Sequence, residues 1–290
     1  MSDKPSVSLI TLTHNKVDVT RRCLTSWLNT AGMNWELIVI DNGSTDGTHG
    51  WLKTFAEQTK PQGVDTTPVL HKQNVGCSTA RNEGLERARG ESVVFIDNDV
   101  ALRKISWLSV LSQALAELPA CGLVGPKLLF PFEPFDIQCA GAAVAPTGRV
   151  QFRGRGESRE NAEFNKRTEV QCLISACFMG HTEVIRRKGG FDEAFNPVEF
   201  EDIDLCYRLR AEGYRLYYIP EAEMYHLESV TTQGTPSLPN TRLIVKNGLR
   251  FKERWRHMFE HENGPSDEEA RWRHLDKYDL SEIGDLPVLP

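Results

Sequence analysis

The chain has 290 residues, 40% of them hydrophobic and 26% charged, with a formal net charge of −6. These values suit a globular protein of one large domain or two small ones, and exclude a fibrous or wholly disordered chain. The mild acidity argues against a nucleic-acid binder, and seven cysteines without C-x-x-C spacing argue against a disulfide scaffold or zinc site and for reduced thiols.

The opening residues, Met1-Ser2-Asp3-Lys4-Pro5, lack the apolar core of a secretory signal. No apolar run approaches roughly the 18 residues of a membrane span, so a cytoplasmic location is expected. Residues 7–13 are β-branched and largely apolar and end in His14-Asn15, the pattern of a buried parallel strand entering a loop. Val19, Cys23, Trp27 and Leu28 follow at helical spacing. Residues 35–40 predict a second strand, closed by the turn-rich segment Asp41-Asn42-Gly43-Ser44-Thr45-Asp46-Gly47 and followed by a helix carrying Trp51, Leu52 and Phe55. Val69-Leu70 predicts a short third strand, residues 77–89 a helix, and residues 92–96 a fourth strand running into Asp97-Asn98-Asp99. Such alternation implies an α/β fold, a mostly parallel sheet with helices on both faces, whose ligands bind beyond the carboxyl ends of the strands.

Beyond this point a helix is expected over residues 108–118 and a strand over 121–129. Residues 149–167, rich in Arg, Glu and Gly, predict a mobile loop or exposed excursion. Residues 170–179 are apolar again, 202–211 predict a short helix, and 215–226 two short strands broken at Pro220. From His261 the chain is charged and poorly patterned, as a loosely packed tail would be. The stretch 246–256 interleaves basic and aromatic side chains: a solvated helix face with Phe251 and Trp255 turned inward, or a surface for anionic head groups.

The turn after the first strand has no glycine, so a G-x-G-x-x-G or P-loop phosphate cradle is not expected. A bound diphosphate would need another countercharge, and Asp97 and Asp99 at a strand end offer the carboxylates a hard divalent cation requires. Read singly, each cluster has a plain alternative. Asp97-Asn98-Asp99 and residues 41–46 are also turn chemistry. Glu199, Glu201, Asp202 and Asp204 stand where acids cap a helix, yet four carboxylates in six residues exceed capping, and one of them in a cleft is a candidate general base. His226 is either a structural histidine or a metal ligand.

Together the segments are more specific. Residues 7–15, Asp41 to Thr48, Asn74-Val75-Gly76 with Ala80-Arg81-Asn82-Glu83-Gly84, Asp97-Asn98-Asp99, Gly189-Gly190-Phe191-Asp192-Glu193 and Glu201-Asp202-Ile203-Asp204-Leu205 occur in one order. This order resembles the family 2 glycosyltransferases of bacterial polysaccharide assembly, particularly the rhamnosyltransferase-like branch, over about residues 5–255. The resemblance implies the GT-A fold, a Rossmann-like central sheet with helices on both faces, in a domain over residues 1–260. Residues 1–100 would be its nucleotide-binding half, 101–260 its acceptor-side half, and 261–290 the tail.

It further implies inverting transfer of a sugar from a UDP, dTDP or GDP donor to an acceptor hydroxyl, assisted by Mg²⁺ or Mn²⁺. Thr13 and Asn15 would line the nucleotide pocket, Asp41 would recognise the base or ribose, and Asn74, Gly76 and Arg81 would border the diphosphate or sugar. Asp99 would be the main metal ligand, with Asp97 nearer the ribose or sugar and His226 completing the metal site. Asp202 would be the catalytic base, with Glu201 the competing candidate. The acceptor would be a glycan or a polyprenyl-linked glycan, the latter met by peripheral contact with the inner face of the membrane. Two other readings use the same residues: a nonenzymatic nucleotide-sugar sensor or scaffold, and a sugar-phosphate nucleotidyltransferase.

Overall fold

A computed structural model describes residues 4–228, 240–269 and 282–290. Its first part repeats strand, helix, strand: β1 (Val7–Thr13), α1 (Val17–Trp27), β2 (Trp35–Asp41), α2 (Thr48–Thr59), β3 (Asp65–Leu70), α3 (Cys77–Arg87) and β4 (Ser92–Ile96). These four strands pair in parallel in the order β3-β2-β1-β4. Parallel neighbours need a crossover, and the amphipathic helices supply it.

The second part is less regular. It runs β5 (Val100–Leu102), α4 (Trp107–Glu117), β6 (Cys121–Leu129), β7 (Ile137–Cys139), β8 (Ala142–Val144), β9 (Val150–Phe152), β10 (Thr168–Val170), β11 (Cys177–His181), α5 (Thr182–Arg187), α6 (Glu201–Arg210), β12 (Arg215–His226) and α7 (Asn240–Phe259). Strand β11 joins the parts, running antiparallel between β4 and β6, and β12 lies parallel to β6. The result is the expected α/β fold with a curled, mostly parallel central sheet.

Strand parity divides the interior into two cores, because successive side chains point to opposite faces. Leu9, Leu37, Val39, Val94 and Ile96 meet Trp27 of α1, Phe55 of α2 and Trp107 of α4. Ile10, Ile38, Ile40, Val93 and Phe95 meet Leu85 of α3, Tyr207 of α6, and Phe251 and Trp255 of α7. The basic-aromatic stretch 246–256 is therefore part of a helix that turns Phe251 and Trp255 inward.

Three expectations are corrected. Residues 215–226 form one strand: Pro220, which has no N–H to donate, sits in an irregularity of the β6–β12 ladder between Ile219 and Glu223, after which pairing resumes. Residues 150–157 are half-buried rather than an exposed excursion, whereas most of residues 158–167 are exposed as expected. Strand β9 pairs with β8, Phe164 is buried, and the Arg155 guanidinium lies 5.1 Å from the Phe130 ring centre and 5.7 Å from that of Phe152. A charge count misses this because an arginine's stem and planar head pack well on apolar rings.

The described parts of the tail are also tied down. Glu262 accepts hydrogen bonds from Tyr207, Arg210 and Gln171, and Leu289 exchanges backbone bonds with Arg103 and Ile105. Backbone pairing of this kind needs no hydrophobic period, so it left no sequence signal. All seven cysteines are free, six of them buried, and no helix among the described residues is long and apolar enough to cross a membrane.

Candidate functional site

The carboxyl ends of β1, β2 and β4 open on a cavity of about 300 Å³, walled on its far side by the start of α6 and the end of β12. Thr13, Asn74, Arg81, Asp97, Asp99, Glu201, Asp202 and His226 all line it. Residues remote in sequence meet there because parallel strands deliver every following loop to the same sheet edge.

Alternation along the chain arranges the Asp97-Asn98-Asp99 segment. Asn98 points back, donating to Thr20 Oγ1 (2.8 Å) and to Thr13 Oγ1 (3.3 Å), and so fastens the segment to β1 and α1. Asp97 and Asp99 are left for the cavity. One ligand atom from each, with one from His226, lie within 4.8 Å of one another, and His226 Nε2 is 3.4 Å from Asp99 Oδ1. Two carboxylates and an imidazole form a donor set that suits a divalent cation such as Mn²⁺ or Mg²⁺. Burial pushes the Asp97 carboxyl up from its ordinary value, although Arg81 opposes this. Burial alone would lower His226, but the neighbouring Asp99 and Asp97 carboxylates outweigh it and raise the imidazole.

Asp202 and Glu201 occupy the first turn of α6, where the helix dipole favours anions. Asp202 accepts backbone hydrogen bonds from Ser175 (2.9 Å) and Ile203 (2.8 Å). Burial first and the Glu201 charge second nevertheless raise its pKa to about 6, and the same two causes, with Asp202 added, raise Glu199 to about 7. Glu201 is already engaged, since its Oε1 accepts from Arg81 at 2.5 Å. Arg81 reaches Asp97 at 3.0 Å with its other terminal nitrogen, and its guanidinium lies 5.3 Å from the Phe191 ring centre. One arginine thus joins the candidate metal ligands to the start of α6.

The approach to α6 is strained: Glu199 and Phe200 both have positive φ, at 85° and 71°. Such backbone persists only where its surroundings over-determine it. Here the buried Asn247 of α7 does so, its Nδ2 facing the carbonyls of Phe195 (2.7 Å), Val198 (2.9 Å) and Glu199 (3.2 Å).

Three residues expected at the ligand stand behind the cavity wall instead. The Asp41 side chain is fully buried, accepting from the Ser44 backbone at 2.9 Å and lying 3.1 Å from His49 Nε2, so it closes its own turn and does not line the cavity. Asn15 accepts from the Thr45 backbone at 2.8 Å and binds that turn to the first loop. Gly76 is required at φ 90°, where a Cβ would come within 2.3 Å of the Asn196 side chain. Asn74 lines the cavity and also orders this turn, accepting from the Gly76 backbone and from Asn42.

Sequence reasoning missed Phe152, Ser175, Gln138 and Glu228. Phe152 and Ser175 line the cavity, and Glu228 lines it while pairing with Arg155 at 2.8 Å. Gln138 grips His226 from behind. None belongs to a patterned cluster. A signal existed only for Phe152, an aromatic residue in an otherwise polar stretch.

Comparisons with known proteins agree with this architecture. The model of the family described as "Glycosyl transferase family 2" matches residues 8–188. An uncharacterised protein of Sinorhizobium fredii is 32% identical over an alignment of 266 residues that covers 88% of this chain and 28% of that protein. The O-antigen biosynthesis protein RfbC of Myxococcus xanthus is 31% identical over 79% of this chain and 18% of its own length. The chain thus spans under a third of either relative. Among solved structures, GalNAc-T7 with UDP, GalNAc and Mn²⁺ superposes with a TM-score of 0.64 at 14% identity, over 78% of this chain and 44% of that one. A mannosyltransferase of Pyrobaculum calidifontis with GDP-Man and Mn²⁺ gives 0.59 at 22%, over 89% and 71%.

Proposed function

The chain belongs to glycosyl transferase family 2, and from that premise we propose that it transfers a sugar from a nucleoside diphosphate donor to an acceptor hydroxyl, with inversion at the anomeric carbon. The observation that carries this reading is the meeting, in one cavity, of the Asp97, Asp99 and His226 ligand atoms with the Asp202 carboxylate. Asp97, Asp99 and His226 would hold Mg²⁺ or Mn²⁺. Such a cation supplies neutralisation of the negative charge that grows on the departing diphosphate. Arg81, paired with Asp97 and Glu201, keeps the two acidic groups in register. Asp202 removes the proton of the acceptor hydroxyl as its oxygen bonds to the anomeric carbon and the bond to the diphosphate breaks. A one-step displacement leaves no covalent sugar on the protein, so no nucleophilic side chain is needed.

The donor's nucleoside lies against the loops after β1 and β2, with Thr13 in contact, Asn74 of the loop after β3 bordering the diphosphate or sugar, and Asn15, Asp41 and Gly76 shaping the wall. A second cleft shares Phe152, Phe200 and Asp202 with the first and is bordered by Ile244, Val245 and Leu249 of α7. Its apolar wall beside the proposed base supports an acceptor with an apolar part, as a polyprenyl-linked glycan has, over a bare glycan.

The reading is tested by thermal shift with UDP, dTDP and GDP and their sugars, with and without Mn²⁺. One nucleotide is expected to raise the melting temperature, and more so with Mn²⁺, as binding to the folded state alone requires. No shift with any of them would defeat the assignment. Shifts without hydrolysis or transfer over a broad acceptor panel would favour a sensor.

The pH profile follows from Asp202. Its pKa is raised, so below about 6 the carboxylate is protonated and cannot accept the acceptor's proton. At saturating donor and metal, kcat is expected to fall about tenfold per pH unit below that value and to level above it. A flat profile from pH 5 to 8 would exclude Asp202 as the base.

A further inference from the structure

Strand β7 carries Gln138, fully buried and with no part in the reaction above. Its amide makes both of its hydrogen bonds to one residue. Nε2 donates to the backbone carbonyl of His226 at 3.1 Å, and Oε1 lies 2.7 Å from His226 Nδ1. A backbone carbonyl only accepts, so the first bond fixes which end of the amide is nitrogen. The oxygen therefore faces the ring, and because it too only accepts, Nδ1 must carry the hydrogen. The remaining ring nitrogen, Nε2, faces Asp99 Oδ1 at 3.4 Å.

Resting on the metal-assisted reading above, we propose that Gln138 is a positioning residue for the cation site: it locks His226 in the Nδ1–H form and turns the Nε2 lone pair toward Asp97 and Asp99. The competing form of the neutral ring carries its hydrogen on Nε2. It would donate to Asp99, satisfying both groups without a cation and taking both out of use as ligands. Gln138 disfavours that form, since its oxygen would then face a bare Nδ1 lone pair in a buried site.

The lock is braced from the segment of residues 149–167. Residues on either side of Gln138 are bonded to it: Ile137 donates to the Glu157 carbonyl (2.8 Å), Gly156 to Ile137 (2.7 Å) and Ala140 to Arg153 (2.9 Å). Arg155 of the same segment pairs with Glu228, two residues beyond His226. The 149–167 segment thus holds the metal-ligating histidine from both directions.

The test uses the full chain with ¹⁵N-labelled histidine. Long-range ¹H–¹⁵N spectra at alkaline pH, with His226 assigned by its loss in His226→Ala, should show Nδ1 protonated and Nε2 bare. In Gln138→Met, close in volume but unable to accept, the signals should move toward the Nε2–H form. In Gln138→Glu, which keeps an acceptor against Nδ1, they should stay. Mn²⁺ titrated calorimetrically with UDP, dTDP or GDP present should bind 10- to 100-fold more weakly to Gln138→Met, approaching His226→Ala, with most of the loss recovered in Gln138→Glu. Melting temperatures identify any variant that fails to fold. An Nε2–H ring in the wild type would overturn the proposal. So would unchanged Mn²⁺ affinity in Gln138→Met where His226→Ala loses it. If His226→Ala itself binds Mn²⁺ as the wild type does, the metal reading falls and the proposal with it, and the spectra tell the two failures apart.

Discussion

Asp202→Asn is expected to lower kcat by about 10²–10⁴-fold, the usual contribution of a positioned general base, with donor binding and melting temperature little changed. The amide occupies the same volume and can still accept from the Ser175 or Ile203 backbone, but it cannot take up the acceptor's proton. Glu201→Gln is the control. Its Oε1 already accepts from Arg81, so the loss of its charge should act through neighbours. Because the Glu201 charge helps to raise Asp202, removing it should move the acidic limb of the pH profile to lower pH while a plateau of activity remains. Steady-state kinetics of both variants across pH decide the matter. An active Asp202→Asn beside an inactive Glu201→Gln would exchange their roles.

Asp99→Asn should abolish tight Mn²⁺ binding and lower kcat/KM by roughly 10³-fold. Several kcal/mol of leaving-group stabilisation is at stake, at 1.36 kcal/mol per factor of ten. The fold should survive, because Asn98 secures this segment to Thr13 and Thr20 and an amide at position 99 keeps the volume of the carboxylate. Calorimetric titration with Mn²⁺ and a transfer assay over a range of metal concentration provide the check. Partial recovery at high Mn²⁺ is the signature of a lost ligand. Wild-type affinity and turnover in the variant would remove the cation from this site altogether.

The first half of the fold was legible because its signals are local. Apolar runs such as residues 35–40, followed by turn residues, specify strands and the edge at which their loops emerge. Asp97, Asp99, Asp202 and His226 were legible for the same reason, each lying at an element's end. Asp41 looked equally suited to a ligand, yet its carboxylate closes its own turn, and sequence alone does not tell a carboxylate facing a cavity from one facing the backbone. The double pairing of Arg81, the acceptance of Ser175 N–H by Asp202, and the aromatic stacking of Arg155 all arise from contacts between distant segments. Such contacts leave no period and no spacing.

The bonds from Asn247 to the carbonyls of residues 195–199 bear on how such enzymes can be recombined. The match to the family model ends at residue 188, before the proposed base Asp202, before His226 and well before Asn247, which steadies the approach to α6. A chimera joined at that border would import the proposed metal carboxylates, Asp97 and Asp99, and leave the proposed base Asp202 under the control of a foreign C-terminal helix. The smallest exchangeable module is thus one that carries α7 along with the strands.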